Sequence, residues 1–165
     1  MIRAIFLDVD GTLISFSTHE IPASALRALA QAHERGVRLF IATGRAANDL
    51  GPLEGILYDG VVSLNGARCV ANDGRVVSLH PIPRADFERA LALSEEQGFA
   101  MGLELEEGVF VNRVTPDVER VAHMVAHPVP EQTDLRELFG RVECCQLCFY
   151  FDAETQRRVM AELPT

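Results

Sequence analysis

A chain of 165 residues, 48% of them hydrophobic, is long enough for one ordinary domain or one and a half small ones, with a real core. Its net charge of −9 argues against a binder of the nucleic-acid backbone, which needs a basic face, but leaves room for a small anionic substrate met through a bound cation. No apolar run reaches the roughly 18 residues of a membrane span, and no basic, apolar leader opens the chain, so a cytoplasmic protein is expected.

In chain order, Ile2 to Leu7 reads as a strand apolar on both faces, hence fully buried. Ile21-Pro22 opens a helix whose Leu26, Leu29, Ala30 and His33 share a face, and Gly36 caps it. Val37 to Ala42 is a second apolar strand ending at Thr43-Gly44-Arg45. A short helix follows, broken by Gly51-Pro52, and then a third strand, Val61 to Leu64, stops at Asn65-Gly66. Strand and helix alternate as in a doubly wound α/β sheet, where ligands sit outside the carboxyl ends of the strands.

The pattern then changes to α+β, with a boundary near Pro81 to Pro83. Arg68 to Leu79 reads as a hairpin turning on Asn72-Asp73-Gly74. Helices are expected at Arg84 to Gln97, after Pro116, near Leu135 to Phe139, and at Ala153 to Leu163. Strands are expected at Ala100 to Leu105, Val109 to Asn112 and Val142 to Phe151. Within the last strand, Cys144 and Cys148 should share a face opposite Cys145, as buried reduced thiols; the cysteines do not have zinc-finger spacing.

Chemistry concentrates where the first two strands end. Asp is a poor strand residue and a buried carboxylate is costly, yet Asp8 and Asp10 follow an apolar strand and precede Gly11. Two such carboxylates converge just past the strand and would repel without a divalent cation; Mg²⁺ suits an oxygen set completed by water and substrate phosphate. Asp8, nearest the strand, is placed to attack phosphorus, and Asp10 to protonate the leaving alcohol and then activate water. Thr43 offers a hydroxyl, Gly44 and Arg45 offer backbone N–H groups at an expected helix N-terminus, and the Arg45 guanidinium can fork on phosphate. Asn65 is a candidate for substrate contact or for holding the junction between the two parts.

These residues carry a resemblance. D-V-D-G-T-L (Asp8 to Leu13) resembles the first motif of the haloacid dehalogenase superfamily. A-T-G-R (Ala42 to Arg45) resembles the second motif of its Cof-type, subfamily IIB sugar-phosphate phosphatases, and L-N-G-A (Leu64 to Ala67) the stretch before their inserted cap. The resemblance implies a Mg²⁺-dependent phosphatase working through an aspartyl phosphate on Asp8. Asp10 would be its acid/base, Thr43 its phosphate binder, and Asp8 and Asp10, the latter also through its carbonyl, its metal ligands. It implies an α/β fold: a Rossmannoid parallel sheet (1–80) with an inserted α+β cap (81–165) that closes over small phosphorylated metabolites.

The departure from the family is specific. Its third motif supplies a Lys, and this chain has none; all fifteen basic residues are Arg. Its fourth supplies acidic ligands on a Gly-Asp turn, whereas here only Asp152, Glu154 and Glu162 follow the cysteine strand. The sheet and cap are therefore expected to be incomplete, the N-terminal part of a longer enzyme. Two rival readings are a non-catalytic phosphate- or metal-binding module and a receiver-type phosphoacceptor domain. Outside the main site, His123 and His127 are spaced i, i+4 on a helix without a third zinc ligand and read as structural or solvated. Glu104, Glu106 and Glu107 read as a solvated edge, and His19 stays open as a residue flanking the site.

Overall fold

A computed structural model describes residues 2–15, 17, 18, 20–53, 55–125 and 127–162, in two units, Met1–His80 and Pro81–Thr165. In the first, β1 (Ala4–Leu7), β2 (Arg38–Ala42) and β3 (Gly60–Ser63) run parallel, and the hairpin of β4 (Arg68–Ala71) and β5 (Val76–Leu79) extends the sheet antiparallel from β3. Parallel strands need a crossover, and helix α1 (Ala23–Glu34) supplies the one between β1 and β2. The α/β class read from the sequence is thus what the chain adopts.

Three details of this unit differ from expectation. β1 is not buried on both faces: it is the sheet's edge strand, and Phe6 is 61% exposed, stacked on Phe40 at 4.9 Å. Helix α1 is rotated from its expected face. Leu29 is buried with Ala32 beside it, whereas Leu26, Ala30 and His33 lie outside, because the i, i+3 pair 29/32 meets Ile5, Leu39 and Ile41. No α-helix follows Thr43; residues 43–50 form turns, with a single 3₁₀ turn at Gly51–Leu53. Ala46, Leu50 and Leu53 still point into the core, so the segment is fixed by burial rather than by helical hydrogen bonds.

Leu39 and Ile41 alternate inward on β2, and each fully buried side chain of this size contributes about 1.5–3 kcal/mol. Gly60 is required where β3 meets β4: a Cβ there would lie 2.8 Å from the Val70 carbonyl oxygen.

The second unit has a four-stranded sheet in the order β8-β7-β6-β9, made of β6 (Ala100–Leu105), β7 (Gly108–Val111), β8 (Glu131–Gln132) and β9 (Gln146–Tyr150). Helices α2 (Arg84–Gln97) and α4 (Leu135–Phe139) cover one face through Phe87, Leu91 and Leu135, with Phe87 stacked on Phe139 at 4.0 Å. Helix α3 (Pro116–Met124) covers the other through Val118 and Val121, over Ala100, Val111 and Tyr150. Asp134 caps α4 by accepting from the Arg136 and Glu137 amides at 2.9 and 3.1 Å. The two-residue β8 carries no sequence signal of its own.

Further expectations are corrected here. Cys144 and Cys145 precede β9 rather than lying in it. Cys144 is buried beneath α2 and α4, while Cys148 faces the α3 side; none of the four cysteines is in a disulfide. Helix α3 ends at Met124, so His127 lies beyond it and the two histidines do not share a helix. Glu104 is no solvated edge: half-buried, it accepts from the Gln146 amide nitrogen and, at 3.4 Å, from the Cys148 thiol. Asp152 caps the last helix, α5 (Ala153–Glu162), accepting from the Thr155 amide at 2.7 Å. Leu163 and His19 lie outside the described residues.

Candidate active site

The parallel register aligns Leu7 of β1 with Ile41 of β2, so Asp8 and Thr43 leave the sheet at the same carboxyl edge. After Asp8 the chain folds into a tight turn. The Val9 carbonyl accepts from the amides of Leu13 and Ile14 at 3.0 and 2.9 Å, and the Gly11 amide returns to the Ile14 carbonyl at 2.9 Å. Gly11 has φ +81°, a conformation that glycine adopts without penalty. Val9, Leu13 and Ile14 are buried, which anchors the turn and leaves the Asp8 and Asp10 side chains outward.

The Thr12 hydroxyl donates to Asp8 Oδ2 at 2.7 Å, holding the rotamer of the candidate nucleophile. Sequence reasoning assigned Thr12 no part, although its i+4 spacing from Asp8 was visible. Asp10 is gripped by Arg45 through two bonds, Nε to Oδ2 at 2.9 Å and Nη2 to Oδ1 at 2.8 Å. That fork holds the Asp10 carboxyl below the ordinary carboxylate range and raises the Arg45 guanidinium. Arg45 Nη1 donates further to the Asp49 carbonyl at 3.2 Å and carboxylate at 3.3 Å. Asp49, like Thr12, went unnoticed in the sequence.

Thr43 is buried. Its amide donates to the Val62 carbonyl at 2.9 Å, and its hydroxyl accepts from the Arg45 amide at 3.2 Å. The amides expected at a helix N-terminus therefore belong to a side-chain-braced turn, and that part of the anion-binding expectation is corrected. Beside it runs a left-handed stretch, Leu64 (φ +50°), Asn65 (φ +54°) and Gly66 (φ +95°). Non-glycine residues in this conformation cost about 1–3 kcal/mol each and persist only where surroundings impose them. Here the Leu64 amide donates to the Arg45 carbonyl at 3.1 Å, the Asn65 amide to the Thr43 carbonyl at 3.2 Å, and Leu64 is buried. The stretch sets the Asn65 amide group over Gly44, where a Cβ would come within 3.1 Å of Asn65 Oδ1.

The structure thus brings Asp8, Asp10, Thr43, Gly44, Arg45 and Asn65 to adjoining loops of one unit. Asp8 and Asp10 present hard oxygen donors of the kind Mg²⁺ takes, typically one or two carboxylates with water and phosphate. Among the described residues no group of three or more Asp, Glu, His or Cys could hold a metal by itself. Among the same residues no helix is long and apolar enough to cross a membrane.

Residues 5–165 match the family model of the haloacid dehalogenase-like hydrolases. A phosphatase structure from Bacteroides thetaiotaomicron, BT1666 of the haloalkanoate superfamily, is 53% identical, with a TM-score of 0.91 over 98% of this chain and 60% of its own. The subclass IIB sugar phosphatase BT4131 is 30% identical, with a TM-score of 0.83 over 99% of this chain and 64% of its own. YkrA of Bacillus subtilis, provisionally named a phosphatase, is 30% identical over 95 residues, 57% of this chain and 36% of YkrA. The chain therefore spans less than two thirds of the length of each of these relatives.

Proposed function

Because this chain belongs to the haloacid dehalogenase-like hydrolases, we propose that it carries the nucleophile half of a Mg²⁺-dependent phosphatase for small phosphorylated metabolites, sugar phosphates first among them. One observation carries the reading: two aspartates on a glycine turn after β1 face a threonine and an arginine leaving β2 at the same edge. The substrate class is suggested by the subclass IIB sugar phosphatase to which the chain is similar.

In this reading the Asp8 carboxylate, its rotamer held by Thr12, attacks phosphorus. The Asp8 oxygen–phosphorus bond forms as the ester oxygen–phosphorus bond breaks, and Asp10 gives the departing oxygen its proton. Asp10 then takes a proton from water, which attacks the same phosphorus and releases inorganic phosphate and Asp8. The Arg45 fork keeps Asp10 ionised in the free protein. When a phosphate draws Arg45 part-way off it, Asp10 takes up a proton from solvent and can then act as an acid, so the guanidinium serves both groups in turn. Thr43 and the Arg45 guanidinium line the phosphate side, while Asn65 stands over Gly44. Asp8 and Asp10 would hold Mg²⁺, which neutralises charge between the carboxylates and the phosphate. The work is positioning and charge neutralisation, as phosphoryl transfer mainly requires.

A second reading is a non-catalytic phosphate- or metal-binding module, favoured by the Arg45 fork that holds Asp10 as an anion. Hydrolysis of p-nitrophenyl phosphate with and without Mg²⁺, on protein of verified intact mass, separates the two. Mg²⁺-dependent turnover that vanishes in Asp8→Asn supports the phosphatase. Binding of phosphate or Mg²⁺ without turnover supports the module.

A further inference from the structure

We propose that Asp49 is a positioning residue of this site, acting through Arg45 to fix where the Asp10 carboxylate stands. The kinetic consequence rests on the phosphatase reading; the geometric one does not.

Arg45 is the link. It spends Nε and Nη2 on Asp10 and turns Nη1 the opposite way, onto both the carbonyl and the carboxylate of Asp49. Asp10 is 42% exposed, and a fork on so exposed a carboxylate barely offsets the rotamer entropy an arginine loses on being held. A second anchor at the far side of the guanidinium changes that balance, because ordering the side chain once serves four bonds. It also sets direction. With Nη1 held at Asp49, the planar group has one rotation left, and that rotation presents Nε and Nη2 to Asp10.

Asp49 is suited to be the fixed end. It closes a turn, its amide donating to the Ala46 carbonyl at 3.1 Å, and it sits between Ala46 and Leu50, both buried. The backbone at 49 is therefore pinned to the core, and the carbonyl that accepts from Nη1 moves little. Asp49 is itself 38% exposed, yet its i+4 partner Arg45 is only 24% exposed and reaches across to another loop. The Arg120–Asp117 pair, at 2.8 Å on the outer turn of α3, joins no second element and provides a control.

The test uses the whole chain with ¹⁵N-labelled arginine. The Arg45 Nε–H resonance is identified by its loss in Arg45→Lys. In Asp49→Ala, and in Asp49→Ser as a second truncation, this resonance should lose much of its protection from solvent exchange, the backbone carbonyl alone still accepting from Nη1. In Asp49→Asn, whose amide oxygen still accepts from Nη1, protection should be largely restored. Asp117→Ala should leave it unchanged. With p-nitrophenyl phosphate and Mg²⁺, Asp49→Ala should lower kcat about tenfold while KM stays within about twofold, since a small misplacement of an acid/base group acts on chemistry before binding. An Arg45 Nε–H equally protected in wild type, Asp49→Ala and Asp49→Ser overturns the proposal, whatever the kinetics. A wild-type chain that turns nothing over counts against the phosphatase reading instead, and the resonance alone then decides the role of Asp49.

Discussion

The guanidinium of Arg45 meets the Asp10 carboxylate edge to edge, with two bonds of 2.8 and 2.9 Å across a sequence separation of 35 residues. This pair ties the loop after β1 to the loop after β2, and it makes Asp10 an anion in the resting protein. Its stabilising contribution depends on pH. The folded carboxyl titrates below its unfolded value of 3.8, so the contribution is fully present above that value and is lost as pH falls through the folded one. The thermal midpoint of wild type relative to Asp10→Asn should therefore fall between roughly pH 5 and pH 2. Arg45→Ala should flatten that difference. An unchanged gap at pH 3 and pH 6 would refute the linkage.

Asp8→Asn keeps the size and the Thr12 contact of the side chain but removes its nucleophilic charge. Turnover should fall by about three orders of magnitude or more, with the thermal midpoint within a few degrees of wild type. Thr12→Val should lose less, about tenfold in kcat, because it frees the carboxylate rotamer without removing the carboxylate. Steady-state kinetics beside circular-dichroism melts check both.

Gly44→Ala tests the fit between the two loops. The new methyl would stand 3.1 Å from Asn65 Oδ1 and 3.3 Å from Nδ2, so the Asn65 side chain must yield. The expected result is a loss of about 1–3 kcal/mol in stability and a raised KM for phosphate esters. The double variant with Asn65→Ala should recover part of the stability but not the KM. Denaturant melts and phosphate-ester kinetics on the four proteins of the cycle separate the two effects.

The cysteines differ in reactivity for reasons of burial. Removal from water pushes the Cys144 thiol up to about 11, and it pushes Cys148, which also faces Glu104, up to about 12. Thiolate is the reactive form, so neither should be alkylated by iodoacetamide at pH 8 in the native state, and both should react in denaturant. Peptide mapping by mass spectrometry reads this directly. Rapid native labelling at Cys148 would contradict its placement beneath α3.

Much of this organisation was legible in the sequence because it is local. The bounds of α2, β6 and α4 followed from spacing and punctuation, and Asp8, Asp10, Thr43 and Arg45 announced themselves as polar groups ending apolar strands. What was missed depends on distant parts of the chain. The expected helix after Thr43 fails because Ala46, Leu50 and Leu53 find burial in a turn. The burial of Glu104 requires Gln146 and Cys148, about forty residues on, to arrive on the neighbouring strand. Helix α1 shows a broad apolar stripe, and only the position of β2 selects which part of it turns inward. The left-handed Leu64 has no signature at all, since leucine avoids that conformation when free to choose.

Among the described residues β1 hydrogen-bonds to β2 and to no other strand, and Asp8 is the residue that follows it. Successive amides of a parallel strand point to alternate neighbours, so every second amide of β1 faces solvent. In deuterium exchange the segment should show a two-residue beat, fast and slow by turns, where β2 should be slow throughout. The same asymmetry predicts that β1 separates from β2 ahead of any opening of the rest of the sheet. Exchange in this strand would then report sub-global release of the segment bearing Asp8, at a lower free energy than unfolding of the unit.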